Sequence, residues 1–479
     1  MNARWLVLTS SWVACVLCLA CGSCDSGPQR QKARACSIAP PAPSNWRLTA
    51  DDTTFRDGLG RAVFLRGVDA GGRSKFAPYV PFDYQPGQFA QALGQYMDRA
   101  ASWGIDVVRV PFTWAALEPT QGHYDQSWLA LYDQILDAAW ARGIWSVIDF
   151  HQDIYSEVFC GDGFPGWTVQ SPPAPHHDCA QWSLAYFQDA NVKGAFDAFW
   201  ASGSPVKTAY VAAWDVMVAR YRDKPGVIGF EPINEPGWGS ADENTFSATT
   251  LTEFFSSMVP HMRKLAPSSL VFVEPTGFDG AFMVTQMGQP KGDGMVFAPH
   301  FYPVGHHDPD SLAASMQRWA SISAQWKVPL FIGEFGVGNA APGAPDYMSG
   351  VLGALDATSA SGTEWEYSQS SDVWDGELFS LVGADGTELP VAHAIMRPYA
   401  RAVAGSGITQ SFDTTSSKLT LSYAPTTAVT EVALTTKAYP NGYVLDLTGA
   451  CYDETSVPGR LLVQADPGAT QVNLTIGPK

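Results

Sequence analysis

Lys and Arg are scarce in this chain: 29 stand against 47 Asp and Glu, for a formal net charge of −18. Such a surface repels nucleic-acid phosphates and anionic lipid headgroups, so no nucleic-acid partner is expected. A neutral substrate such as a sugar suits it better. Internal repeats and nucleic-acid motifs are absent, and no GxGxxG turn follows the first strand-like run, which weakens a dinucleotide-binding reading. No Cys or His spacing follows a zinc pattern, and His176 and His177 beside Cys179 read as a solvated loop. No metal, nucleotide or redox cofactor is expected.

A spanning hydrophobic run is also missing. Arg4 precedes the apolar stretch 5–20, which is too short to span a bilayer and reads as an export signal. The string LCLACGS is similar to a bacterial lipobox with Cys21 as the lipid-modified residue, although Cys18 stands where Leu is usual. The expectation is a protein that is either secreted or tethered to the cell surface or outer membrane through Cys21. Residues 21–45 are rich in Pro, Ala and Ser and read as a flexible linker. Four of the eight cysteines lie in or beside the signal. Of the others, Cys160 and Cys179 flank one loop and are expected to pair, since export permits disulfides. A Cys36–Cys451 pair is a further expectation, although sequence alone does not fix connectivity.

What is present is a globular composition, 46% hydrophobic with 17 Trp and 17 Tyr. From Ala62 to about Ala404, eight short apolar runs alternate with helix-like segments: AVFLRGV, IDVVRVPF, WSVIDFH, VIGFEPIN, LVFVEP, MVFAPH, VPLFIGE and GTEWEYS. That pattern predicts an α/β fold, a (β/α)8 TIM barrel over 46–405, rather than an open doubly wound sheet. Pro260 is expected to kink or break the helix LTEFFSSMVPHMRKLAP. Beyond about Gly405 the runs alternate apolar and polar residues between short turns, which predicts a small C-terminal all-β sandwich over 406–479.

The chemistry resides in two peptides, INEP at 233–236 and IGEFG at 332–336, each ending an apolar strand. A glutamate there is costly to bury without work or a partner. Two of them facing one substrate are what glycosidic cleavage needs: one carboxylic acid for the leaving oxygen and one carboxylate to attack or to activate water. In a barrel the strand ends converge on one mouth. Strand by strand, those ends carry Arg109, His151 and Asp153, Asn234 and Glu235, His300 and Tyr302, Glu334, and Trp365. Any one of them could be a satisfied core polar group, but together they form a polar ring. Glu231 and Glu274 also end near strand termini and read as structural or as supports behind the catalytic residues, because neither sits in a family motif.

The order Arg, His, Asn-Glu, His-x-Tyr, Glu, Trp resembles glycoside hydrolase family 5. That resemblance implies Glu235 as acid/base and Glu334 as nucleophile of a retaining β-glycosidase. It implies that Asn234 bonds the sugar 2-hydroxyl and that His300 and Tyr302 tune the carboxylates. Trp365 would floor the sugar site, and Arg109 would keep the nucleophile ionised. Within the family, FLRGVDAGGRSKFAPY and DFHQDIYSEVFCGDGFPGW look like the endoglycoceramidase and glycosylceramidase branch, where Lys75 and Asp153 correspond to sugar-gripping positions. The appended β-domain matches that branch too. Asp69 departs from the usual Asn, and Trp374 rivals Trp365 for the stacking role.

A monomer is expected, and the branch implies a substrate that is half sugar and half ceramide, so an apolar groove should adjoin the sugar site. Phe159, Phe164, Trp167, Phe278 and Phe282 are candidates to line it, unless they simply pack loops onto the barrel. Two other functions fit the same residues: a family 5 cellulase or mannanase acting on polysaccharide, and a non-catalytic glycan-binding protein. Intact glutamates argue against the second, and the shape of the groove decides the first.

Overall fold

The computed structural model describes residues 33–42, 46–169, 179–369 and 378–479. Eight strands form one parallel sheet: β1 (Arg66–Asp69), β2 (Val107–Phe112), β3 (Trp145–Phe150), β4 (Val227–Glu231), β5 (Leu270–Val273), β6 (Met295–Phe297), β7 (Phe331–Phe335) and β8 (Ser361–Glu364). Their order is β6-β5-β4-β3-β2-β1-β8-β7. The two ends meet through a bridge between Phe297 and Leu330, where the Phe297 N–H donates to Pro329 O at 3.0 Å, and the barrel closes. Every residue of these strands is buried. This is why they read as unbroken apolar runs rather than alternating ones. The surrounding helices bury one stripe each. Phe89–Trp103 turns Leu93, Tyr96, Met97, Ala100 and Trp103 inward and stops at Gly104, whose φ of 86° suits a residue without Cβ.

The expected first strand divides in two. Only Arg66–Asp69 enters the barrel, whereas Ala62–Val63 joins a second sheet. That sheet runs from Arg34–Ala35 through Ala450–Asp453, Arg460–Ala465, Thr430–Ala433, Tyr399–Val403 and Ala62–Val63 to Thr54–Asp57 and Leu48–Asp51. With a four-stranded sheet of Gly405–Asp413, Lys418–Pro425, Val472–Pro478 and Tyr443–Thr448, it makes the all-β unit. The β-domain therefore includes residues on both sides of the barrel in sequence, and the boundaries read at 46 and 405 do not separate the two sheets' strands. Leu48, Phe55 and Val63 pack against Val107, Val147, Ile228, Leu270, Val296 and Phe331 near the starts of the barrel strands. The lower mouth is thus plugged, which leaves the C-terminal ends of the strands for a site.

The linker reading is corrected for its second half. Arg34–Ala35 pairs in parallel with Cys451 and Tyr452, Cys36 is bridged to Cys451, and Ile38 N–H donates to Asp453 at 2.9 Å. A covalent tie and a strand outweigh the Pro- and Ala-rich composition there. Pro260 does not break its helix, which runs over Thr252–Leu265. It lies on the exposed face, where water can satisfy the carbonyl that proline leaves without a donor. Cys160 and Cys179 are bridged. Among the described residues, no helix is long and apolar enough to cross a membrane. The export signal with Cys21, His176, His177 and Trp374 lie outside the described residues.

Candidate active site

The open mouth gathers the polar residues that end the strands. Glu334, within β7, has its Oε1 2.8 Å from the Arg109 Nη1 donor and its Oε2 3.1 Å from the Tyr302 hydroxyl donor. His300 Nδ1 lies 3.5 Å from the same Oε2 and 2.8 Å from Glu235 Oε1. Carboxylate oxygens of Glu235 and Glu334 and a ring nitrogen of His300 all lie within 4.8 Å of one another. Retaining glycosidases hold their carboxyl groups about 5–5.5 Å apart, whereas inverting ones leave ~6.5–9.5 Å for a water. The gap here fits direct attack.

Asn234 and Glu235 follow β4 in a turn held from below. Gln152 donates to both of their carbonyls at 2.8 Å, and Asn234 N–H donates to Phe150 O at 2.9 Å. Glu235 has φ of +40°, a conformation that costs a non-glycine residue energy and recurs at functional sites. Its carboxyl rests over Gly277, where a Cβ would come within 2.5 Å of Oε2. On the other wall Lys75 donates to Asp153 and sits 4.4 Å from the centre of the Trp365 ring, which stacks on His151 at 5.1 Å and 7°. These groups line a cavity of about 280 Å³ together with Asn234, Tyr302, Trp182 and Phe379.

The electrostatics favour the ionised form of Glu334. Burial pushes the Glu334 carboxyl up, but His300, Arg109, His151 and Lys75 outweigh it and hold Glu334 below its ordinary value. Burial disfavours charge on His300, yet Glu274, Glu334 and Glu235 carry the ring up to about 10. Burial and Lys75 oppose charge on His151, which Asp149 and Asp153 also bring to about 10. An ionised nucleophile on these terms predicts that the acid limb of kcat/KM lies below the ordinary glutamate value of about 4.3. A pH–rate profile that falls already above pH ~5 on its acid side would contradict it.

Arg109 pairs with Glu334, as the resemblance implies, but it is not itself a substrate-binding residue, because its side chain is 0% exposed. It is enclosed by Asp69, Asp149, Glu231 and Glu334, with Nη2 donating to Asn234 Oδ1 at 2.8 Å. It touches the carboxylates, not the cavity. Lys75, His151, Asp153, Asn234, Tyr302 and Trp365 do line the cavity, as do both glutamates, while His300 stands behind Glu235.

A second cavity of about 350 Å³ adjoins the first, and its lining is mostly apolar: Tyr186, Phe187, Trp238, Phe278, Ala281 and Phe282, with Trp182, Ser183 and Glu235 common to both cavities. Phe187 and Phe282 remain 46% and 52% exposed at its rim. Of the aromatics proposed for such a groove, Phe278 and Phe282 line it and three do not. Phe159 and Phe164 are core residues, and Trp167 packs on Trp114 at 5.0 Å with its Nε1–H donated to Glu118 O. They hold the loop after β3 onto the barrel. Sequence reading missed Trp182, Phe187 and Phe379, which no motif marks. Trp238 stands three residues beyond Glu235 and could have been found by its position.

Residues 78–371 match the cellulase family (glycosyl hydrolase family 5), and residues 397–476 match the glycoside hydrolase family 5 C-terminal domain. Endoglycoceramidase I of Rhodococcus hoagii is 28% identical over 458 residues, which span 88% of this chain and 86% of that protein. The solved structure of endo-glycoceramidase II from Rhodococcus sp. covers 88% of this chain and 99% of its own at 27% identity and a TM-score of 0.75. The same protein in a ganglioside GM3 complex is similar to this chain at a TM-score of 0.75 and 26% identity, over 88% of this chain and 99% of that one.

Proposed function

Because this chain belongs to glycoside hydrolase family 5, we propose that it is a retaining β-glycosidase that cleaves the bond between a sugar and ceramide. The observation that carries this reading is the position of Glu235 in the shared wall of two cavities, one polar and one apolar. A leaving oxygen protonated by Glu235 has sugar on one side and an apolar aglycone on the other. The likeness to endoglycoceramidases over 88% of the chain supports the same substrate class. So does the mostly apolar lining of the second cavity, which offers few polar partners to the hydroxyls of a further sugar.

The mechanism follows from the contacts. Glu334 attacks the anomeric carbon as Glu235 gives its proton to the ceramide oxygen. A glycosyl ester forms on Glu334 and ceramide leaves. Water, deprotonated by Glu235, then attacks the anomeric carbon and frees Glu334, so the configuration inverts twice and is retained. Tyr302 donates to the Glu334 oxygen that is not held by Arg109. Trp365 floors the sugar, and Lys75 and Asp153 bond its hydroxyls from the far wall. The exported location, with or without a lipid on Cys21, is supported by the Cys36–Cys451 and Cys160–Cys179 bridges, because cytosolic thiols are kept reduced. The enzyme acts as a monomer in this reading.

The test is release of ceramide from fluorescent glucosylceramide and lactosylceramide, set against cleavage of cello- and manno-oligosaccharides. Ceramide release supports the reading, and cleavage of oligosaccharides alone refutes the aglycone while keeping the chemistry. Phe282→Asp, which puts a charge on the apolar rim, is expected to raise KM for the glycolipid about tenfold. Hydrolysis of a small aryl glycoside by that variant should stay near wild type. An equal loss on both substrates would remove the groove from the account.

A further inference from the structure

Glu274, which ends β5 and bears no family motif, touches the acid/base twice. Its Oε1 accepts the Glu235 backbone N–H at 2.6 Å. Its Oε2 lies 3.0 Å from His300 Nε2, while the opposite ring nitrogen, Nδ1, lies 2.8 Å from Glu235 Oε1. One carboxyl group thus accepts from the main chain of Glu235 and, at ion-pair distance but without hydrogen-bond alignment, faces the imidazole that bonds its side chain. Glu274 and His300 are each 99% or 98% buried, so neither contact is diluted by water. We propose that Glu274 is a positioning residue that holds Glu235 in its left-handed backbone conformation and keeps His300 charged against both catalytic carboxyls. The proposal rests on Glu235 acting as acid/base.

The groups around the ring decide where its proton sits. His300 faces Glu274 from the end of β5, Glu235 and Glu231 from β4 and the turn after it, and Glu334 from β7, with Tyr302 beside it on its own loop. The cation Arg109 stands beyond Glu231 and Glu334. Burial raises the Glu274 carboxyl well above its ordinary value, with Glu231 and Glu235 adding to the rise, although the charges on His300 and Arg109 oppose it. The positive charge of this ion pair resides on the ring, because two further carboxyls face its other nitrogen and favour charge there. Glutamine at 274 can still accept the Glu235 N–H, but its amide cannot pair with an imidazolium. The ring then becomes neutral. Loss of that cation outweighs loss of the Glu274 charge, because Nδ1 is the atom nearest Glu235 while Glu274 lies on the far side of the ring.

The experiment compares wild type, Glu274→Gln and Glu235→Gln on aryl β-glycosides of graded leaving-group acidity, with full pH profiles. For Glu274→Gln, kcat/KM is expected to fall about 10- to 100-fold on the phenyl glycoside, part of the ~10²–10⁴ that a general acid supplies. It should change less than about threefold on the 2,4-dinitrophenyl glycoside, which needs no acid to leave. The acid limb, set by Glu334, should move to higher pH, by about half a unit or more, since that carboxyl loses one neighbouring cation. Uniform loss on every leaving group with an unmoved acid limb would show a merely structural residue and overturn the proposal. A wild type inert on all these glycosides, or a Glu235→Gln variant with no leaving-group dependence, would overturn the acid/base reading and this proposal with it. A steep Glu235→Gln beside a flat Glu274→Gln would overturn this proposal alone. Should Glu274→Gln fail to fold, nitrogen NMR of histidine-labelled wild type, assigned by difference from His300→Gln, decides: the proposal requires both His300 nitrogens protonated at pH 8, and a neutral ring contradicts it.

Discussion

Glu334→Gln is expected to lower kcat on the order of 10⁵-fold, about 7 kcal/mol of barrier, because the atom that forms the glycosyl bond is gone. KM should hardly move, since Lys75, Asp153, Asn234 and Trp365 still line the sugar site. Shape is kept, because glutamine can still accept from Arg109. Glu334→Gly opens space for a small anion, and added azide should attack an activated aryl β-glycoside once, with a single inversion, to yield the α-glycosyl azide. Glu235→Gly with azide should instead yield the β-azide, because azide then displaces Glu334 from a glycosyl-enzyme already inverted. The two products assign the two carboxyls independently of any loss of rate. The β-azide from Glu334→Gly would exchange the roles.

Arg109→Met should be the most destabilising single change in the barrel. The guanidinium is 0% exposed and contacts Asp69, Asp149, Glu231 and Glu334. Removing one partner of a buried ionic cluster costs about 3–5 kcal/mol, because the others keep their desolvation penalty without the attraction. Burial already pushes Glu231 up to about 7 and raises Asp69 well above its ordinary value, against the pull of Arg109. Without the cation both rise further. A carboxyl whose folded value exceeds its unfolded one costs stability as pH rises past the unfolded value, so the deficit should be largest at neutral pH and shrink toward pH 4. Denaturant unfolding at several pH values checks this. Arg109→Lys should recover only part of the loss, because an ammonium cannot replace the fork that reaches Glu231 through Nε and Glu334 through Nη1. A pH-independent deficit would mean that the cluster is held by packing rather than by charge.

The barrel strands were legible because all their residues are buried, and the run of Val, Ile and Phe in IDVVRVPF or VPLFIGE has no other economical reading. Glu235 and Glu334 were legible for a related reason: a carboxylate at the end of such a run is conspicuous. AVFLRGV misled because a single Arg interrupts an otherwise apolar run from Ala62 to Val68, and hydropathy does not record that the chain leaves one sheet at Val63 and enters another at Arg66. The segment around Cys36 carried no periodicity, and its docking depends on a partner 415 residues away. Composition without long-range contacts reads as linker. Arg109 was placed correctly at the mouth, but its enclosure by four carboxylates from four other strands is a property of barrel closure. Glu274 read as structural or as a support behind the catalytic residues, and only the folded chain brings its two oxygens to the backbone of Glu235 and to the His300 ring that bonds its side chain. The apolar cavity draws Phe187 and Phe278 from two short helices and Trp238 from the turn after β4, a convergence that no local pattern encodes.

The central claim is that Glu334 forms a covalent glycosyl ester while Glu235 serves the leaving oxygen at the junction of the polar and apolar cavities. Incubation with a 2-deoxy-2-fluoro β-glycoside bearing a good leaving group, followed by peptide mass spectrometry, tests it most directly, because the fluorine slows hydrolysis of any ester formed. The account predicts one fluoroglycosyl adduct on the peptide that contains IGEFG, carried by Glu334. An adduct on another carboxylate, or steady turnover of ordinary glycosides with no trappable adduct and with inverted product, would contradict it.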